Sequence, residues 1–232
     1  MPGRPLIRYR EPLFRPPAEA DSLILQIAYG CPHNRCRFCA MYKTVRYAER
    51  PEAEVYADLA AAAATWPDAT RIFLADGDAM HLSFARLREV LTALNAAFPR
   101  LTRVNLYANG SSILAKTPDQ LRELRNLKLN TLYLGLESGD EELLRSVAKG
   151  ETAADMVSAG RLAQECGLRL SVMVLLGLGG ATGSTRHATA TANALNAMQP
   201  RLVSALRYIE VPGVRRWSGY SPLSEYDAVC EL

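Results

Sequence analysis

Three thiols stand within nine residues of one another, Cys31, Cys36 and Cys39, in the segment Gly30-Cys31-Pro32-His33-Asn34-Arg35-Cys36-Arg37-Phe38-Cys39. Soft thiolate ligands on one short loop can converge on an inorganic centre, and they select zinc, copper(I) or an iron–sulfur cluster. A four-iron cube held by three cysteines keeps one iron free of protein ligands, which is what a cluster needs if it is to hold a small molecule. Arg35 and Arg37 favour a negatively charged centre nearby. The alternative is a structural zinc site made by Cys31, His33, Cys36 and Cys39. Zinc takes four such ligands, but His33 follows Cys31 by only two positions, and structural zinc sites usually draw on two separate turns. Cys166 and Cys230 stand alone and read as a helix-end cysteine and a spare thiol. In a reducing cytoplasm this distribution points to metal binding or redox work, not to a disulfide framework.

The elements that must carry this loop alternate along the chain. Apolar runs suited to buried parallel strands occur at Leu23–Tyr29, Arg71–Ala75, Arg103–Ala108, Thr131–Leu136, Leu170–Gly177 and Leu202–Tyr208. Helical stretches lie between them with recognisable ends. Residues 52–66 are Ala-rich and stop before Pro67. Ser83 can cap a helix running to about Phe98, and Thr117-Pro118-Asp119-Gln120 is a capping box with proline at the first helical position. Thr152 and Asp155 open a helix that ends near Cys166, with Gly167 suited to the left-handed residue that follows. A last full helix is expected at about Thr185–Met198. This repetition predicts an α/β fold, a partial (β/α)6 TIM-like barrel of parallel strands with outer helices. A closed eight-stranded barrel takes about 250 residues, more than the 232 present; a flat doubly wound sheet is the rival arrangement.

In either architecture the working end is where strands finish and loops enter helices. The polar and glycine-rich strand ends are Gly30, Asp76-Gly77-Asp78, Asn109-Gly110, Glu137-Ser138-Gly139 and Gly177–Gly180. These chemically suggestive residues all fall at C-terminal strand ends. Tyr107 and Asn109 should share one strand face, so Asn109 is a cofactor or substrate contact if that face is the barrel interior. His81 could serve as an acid or base, with a surface histidine as the plainer reading. Arg207, inside an apolar strand, must pair with an acid across the barrel mouth or bind an anionic substrate.

Hydrophobic residues make up 49% of the chain and charged residues 22%, the balance of a globular protein rather than a disordered one. No apolar run reaches the ~18 residues of a membrane span, and the N-terminus lacks the layout of a secretory signal, so a cytoplasmic protein is expected. The net charge of +3 is too small to indicate nucleic acid. Residues 1–20 read as an extended, proline-rich and arginine-bearing N-terminal arm, a solvated segment wrapping the barrel in preference to an RNA-binding arm. The barrel itself is assigned to residues 21–210. A C-terminal extension, 211–232, contains the start of a helix whose apolar face is incomplete.

Three cysteines in a loop after the first strand, with an aromatic residue just before the last, resemble the radical S-adenosylmethionine (SAM) superfamily. The usual spacing there is three residues and then two; here it is four (Pro32–Arg35) and then two (Arg37–Phe38). Ile72–Met80 (IFLADGDAM) is similar to the family's glycine-rich, often acidic motif at the second strand end. Leu134–Asp140 (LGLESGD) followed by Lys149-Gly150, and Leu175–Gly180 (LLGLGG), resemble the branch containing the oxygen-independent coproporphyrinogen oxidase, the methylthiotransferases and the Elongator-like enzymes. The resemblance covers roughly residues 20–210.

The resemblance implies a [4Fe–4S] cluster on Cys31, Cys36 and Cys39, with SAM chelating the free iron. Cleavage of SAM by the reduced cluster would release a 5′-deoxyadenosyl radical that abstracts hydrogen from a substrate, here unknown. An external electron donor of the flavodoxin or ferredoxin type is implied as partner, and no membrane. By the same resemblance Phe38 lies near the adenine, Gly77 allows close backbone approach, and Asp78 receives the methionyl ammonium. Glu137 faces the cofactor and Lys149 pairs with the methionyl carboxylate. Met173 stands where relatives place an acid on the ribose, so ribose recognition falls to Glu137, Ser138 or backbone groups. Glu137 as a solvated surface acid and Lys149 as an exposed helix-end lysine are the plainer alternatives. No residue is singled out as catalytic. Two other classes remain open on the residues alone: a cluster- or SAM-binding protein without turnover, and a zinc-stabilised binding module.

Overall fold

In the computed structural model, which describes residues 7–211 and 217–232, the chain alternates strand and helix as its apolar periodicity requires. The strands are β1 (Leu23–Gln26), β2 (Ala28–Tyr29), β3 (Ala48–Glu49), β4 (Arg71–Ala75), β5 (Arg103–Ala108), β6 (Leu129–Glu137), β7 (Arg169–Leu176) and β8 (Leu202–Arg207). The helices are α1 (Glu52–Thr65), α2 (Phe84–Ala97), α3 (Gly110–Leu114), α4 (Pro118–Asn126), α5 (Glu141–Ser146), α6 (Ala153–Glu165), α7 (Gly180–Met198) and α8 (Glu225–Val229). Six strands form one sheet in the order β1-β4-β5-β6-β7-β8, every pair parallel. Among the described residues no pairing joins β8 back to β1, so the barrel is partial and open, as the strand count demands.

The helix ends follow local chemistry. Ser83, Thr117 and Thr152 each accept a hydrogen bond from a backbone N–H three residues on, and Gln120 completes the capping box of α4. Gly167 takes the left-handed conformation after α6, at φ +82°. Two expectations shift. The first apolar run breaks at Ile27, whose N–H donates to the Ala75 carbonyl before β2 turns away to pair with β3. The last helix starts at Gly180, five residues earlier than Thr185, because tertiary contacts hold its glycine-rich first turn: Ala181 N–H donates to the Ser221 carbonyl. α3 and α5 are too short to carry a helical period and were not legible as helices.

Between sheet and helices lies the main apolar core, with Ile72, Leu74, Val104, Leu106, Leu132, Leu134, Leu170 and Val172 pointing outward from the strands into it. The opposite, inner face carries a second cluster of Phe73, Ala75 and Tyr133 packed with Leu13, Ile24 and Tyr107. Phe73, Tyr107 and Tyr133 meet edge to face, with ring centroids 5.1 to 6.2 Å apart.

The N-terminal arm contributes to that inner face. Arg8, Arg10 and Arg15 stay exposed, but Leu13 and Phe14 are half-buried, Pro16 is buried, and Glu19 is only 2% exposed. Glu19 accepts hydrogen bonds from Asn105 Nδ2 at 2.7 Å, Tyr133 Oη at 2.5 Å and Ser22 Oγ at 2.5 Å. Where a solvated arm was expected, these buried bonds draw it into the open side of the barrel. Residues 1–6, the first part of that arm, lie outside the described residues. In the C-terminal stretch the expected helix start is α8, capped by Ser224, which accepts from Asp227 N–H. Arg207 is on the exposed edge strand and pairs at 3.0 Å with the exposed Glu225 of α8, a surface contact and not a pair across the barrel mouth. His81 is exposed.

Candidate cofactor site

The cysteine loop leaves β2 at Gly30 and returns to β3, and three separate anchors hold it. Asp76, just past β4, accepts from Gly30 N–H at 3.1 Å, from Gln26 Nε2 at 3.0 Å and from Tyr42 Oη at 2.7 Å. One buried carboxylate thereby ties the end of β1, the start of the loop and its far side together. Asn34, at φ +42°, donates from Nδ2 to the carbonyls of Tyr42 and Val45. Across the loop, Arg37 N–H donates to the Val147 carbonyl, and His33 Nε2 lies 2.8 Å from the Ala148 carbonyl, which the ring can meet only as a donor.

Cys31, Cys36 and Cys39 are free thiols, each half-buried, and all three open onto one cavity of about 270 Å³. Burial pushes the Cys36 thiol up to about 11, against the pull of Lys149, and raises Cys39 as well. Among the described residues no three His, Cys, Asp or Glu side chains close on a point where a single ion would sit; the thiols stand around the cavity wall.

Gly77 passes directly beneath the loop. A Cβ placed there would lie 3.0 Å from Cys31 Cβ and 2.8 Å from the Tyr42 ring, so only glycine lets the β4 end approach this closely. Gly77 N–H donates to the Gly30 carbonyl at 3.1 Å. The donor set fits a cluster: three uncommitted thiols on a buttressed loop, backed by a strand end with no side chain.

On the facing wall, β6 carries a register irregularity between Gly135 and Glu137, and Glu137 takes φ +63°. A bulge of this kind re-aims a side chain next to a site. The Glu137 carboxylate meets Lys149 Nζ at 3.5 Å, with the two side chains only 13% and 6% exposed. Burial raises the Glu137 pKa while Lys149 opposes the rise. Burial works against the Lys149 ammonium, and Glu137 more than compensates, so its pKa is raised. Lys149 sits in the turn after α5, between Ala148 at φ +55° and Gly150 at φ +76°. Its N–H closes the end of α5 on the Leu144 carbonyl but its side chain is buried, and Glu137 is no surface acid.

The remaining expected residues divide. Phe38 and Asn109 line the same cavity as the thiols, with Gly77, Glu137 and Lys149. Asp78 and Ser138 do not line it. Asp78 accepts from Asn109 Nδ2 at 3.1 Å, Asn109 N–H at 3.3 Å and Ser112 Oγ at 2.6 Å, and burial raises its pKa to about 6. Ser138 lies behind the wall, with Oγ 2.8 Å from His187 Nδ1 and accepting from Asp140 N–H at 3.0 Å. Met173 lines the cavity next to Gly135, its partner across the β6–β7 ladder. Asp76 and Tyr42 were missed as site residues. Asp76 stood in the noted strand-end motif, but nothing local in the chain marks Tyr42 as its partner.

Solved structures share this fold at low identity. Coproporphyrinogen III oxidase from Escherichia coli is 18% identical with a TM-score of 0.67, over 90% of this chain and 50% of that one. Methylornithine synthase is 18% identical with a TM-score of 0.64, over 90% of this chain and 60% of its own. The methyltransferase TsrM from Kitasatospora setae, solved with cobalamin and a [4Fe–4S] cluster, is 20% identical with a TM-score of 0.65, over 89% and 45%. This chain therefore spans about half the length of those it matches. Comparison with curated protein sequences gives no match. A family model described as the Radical SAM superfamily matches residues 25–191, from β1 through most of α7. That model covers well over half of the chain, and the chain belongs to the Radical SAM superfamily.

Proposed function

We propose that this enzyme holds a [4Fe–4S] cluster on Cys31, Cys36 and Cys39 and binds SAM across the strand ends that face them. When bound, the reduced cluster supplies reductive cleavage of SAM to a 5′-deoxyadenosyl radical that takes a hydrogen atom from the substrate. The protein's own residues bind, orient and exclude water. Phe38 borders the adenine, and Gly77 lets the β4 backbone approach the methionyl group. Asp78 contributes to the methionyl ammonium site through Asn109, whose amide it holds. Lys149 supplies the cation for the methionyl carboxylate, and Glu137 keeps that cation charged while facing the ribose. Ser138 braces the β6 end from behind. An external one-electron donor of the flavodoxin or ferredoxin type reduces the cluster, and the enzyme works in the cytoplasm. The division into arm (1–20), barrel (21–210) and C-terminal extension (211–232) belongs to the same reading.

The observation that carries this proposal is the meeting of three free thiols, the Glu137–Lys149 pair and the bare Gly77 strand end on one cavity. Anaerobic reconstitution tests it. The protein should turn brown and hold about four irons per chain, Cys31→Ala should lose the colour, and dithionite with SAM should yield 5′-deoxyadenosine. One zinc and no iron in the reconstituted protein would overturn it.

A further inference from the structure

Four residues separate Cys31 from Cys36, and two of them send their side chains to different partners. Asn34 bonds back to the loop itself, at the Tyr42 and Val45 carbonyls. His33 crosses to the turn after α5, 115 residues further along the chain, where Nε2 donates to the Ala148 carbonyl at 2.8 Å. A carbonyl oxygen only accepts, so Nε2 carries a proton. The imidazole also lies against Gly150: a Cβ placed there would fall on the ring, 2.9 Å from Nδ1 and closer still to Cε1. One ring therefore touches both the residue before Lys149 and the residue after it.

This turn needs holding. Ala148 and Gly150 both take left-handed conformations, at φ +55° and +76°, and only glycine does so without strain. A strained residue persists where its surroundings fix it. The thiol loop supplies two such contacts. Arg37 N–H meets the Val147 carbonyl at 2.8 Å, backbone to backbone, whereas the bond from position 33 needs a side chain that donates. Between the two left-handed residues, Lys149 turns its side chain inward, with Nζ 3.5 Å from Glu137. His33 and Lys149 open onto the same cavity as Cys31, Cys36 and Cys39. The loop that carries the thiols thus also sets where the buried ammonium stands relative to them.

Resting on the reading of Lys149 as partner of the methionyl carboxylate, we propose that His33 is a positioning residue: it fixes Lys149 relative to the three thiols and so makes SAM binding depend on that carboxylate. Two measurements on the full chain test it. In the metal-free protein, acetylation by N-hydroxysuccinimidyl acetate is read by mass spectrometry. Lys149 should react about tenfold faster in His33→Ala than in wild type, the worth of one hydrogen bond. In the anaerobically reconstituted protein, equilibrium dialysis should show wild type binding SAM at least about tenfold more tightly than decarboxylated SAM. His33→Ala should lose most of that preference with iron per chain unchanged. His33→Gln, which keeps an N–H donor on a side chain of similar reach, should restore both the shielding and the preference. Wild-type labelling or wild-type preference in His33→Ala, loss of iron there, or a Gln variant no better than Ala would each overturn the proposal. A wild-type chain that binds both nucleotides equally refutes the carboxylate role of Lys149 instead, and the labelling then judges the hold of His33 by itself.

Discussion

The Tyr42 hydroxyl donates to Asp76 Oδ1 at 2.7 Å, and this bond clamps the far side of the cysteine loop to the end of β4. Both groups are buried, and burial raises the pKa of each. The clamp is thus a neutral donor on an acceptor that has two other partners, Gln26 and the Gly30 amide. It holds the loop in place without contributing a ligand.

Tyr42→Phe removes one of three donors from Asp76 and keeps the ring, including its edge contact with Phe14 at 5.4 Å. The expected loss is about 1–2 kcal/mol of stability, read as a lower urea midpoint. The reconstituted variant should also release iron faster to a chelator. Wild-type stability and wild-type iron retention would show that the bond does not brace the loop.

Gly77→Ala puts a methyl group 2.8 Å from the Tyr42 ring and 3.0 Å from Cys31 Cβ. The ring cannot swing aside without breaking its bond to Asp76. Overpacking of this kind costs about 1–3 kcal/mol, and the strain falls on Cys31 itself. Iron per chain after reconstitution should drop well below wild type while the far-ultraviolet circular dichroism stays the same.

The Glu137–Lys149 pair calls for a double-mutant cycle. Glu137→Gln strands a buried ammonium, and Lys149→Met strands a buried carboxylate; each should cost about 3–5 kcal/mol. The double variant should cost less than the sum of the two by about 1–3 kcal/mol. Additive losses in urea unfolding would mean that the two groups do not act on each other.

Asp78 sets a pH dependence. Folded, its pKa is raised by burial to about 6, while the unfolded chain releases that proton near the ordinary value of about 4. Between those limits the folded state binds more protons, so stability falls as pH rises from 4 to 6 and levels off above. The loss attributable to Asp78 is on the order of 3 kcal/mol. Urea midpoints of the protein before reconstitution, measured at pH 4, 5, 6 and 7, should show this decline. Asp78→Asn should flatten it, and parallel profiles would assign the slope to other groups.

Periodicity and spacing were enough for the six inner strands, the main helix caps and the loop that carries Cys31, Cys36 and Cys39. Such signals are local: alternate residues share a strand face, a cap reaches three residues on, and a proline stops a helix where it stands. They also put Gly77, Asp78, Asn109, Glu137 and Ser138 at strand ends. They could not say which way those residues turn there. Asp78 faces Asn109 and Ser112 instead of the cavity, Glu137 reaches Lys149 through a bulge at φ +63°, and Tyr42 finds Asp76 across 34 residues of chain. The inward course of Phe14 and Glu19 belongs with these. A buried polar group takes whichever partner the folded backbone brings within reach, and that reach exists only once loops distant in sequence have packed together.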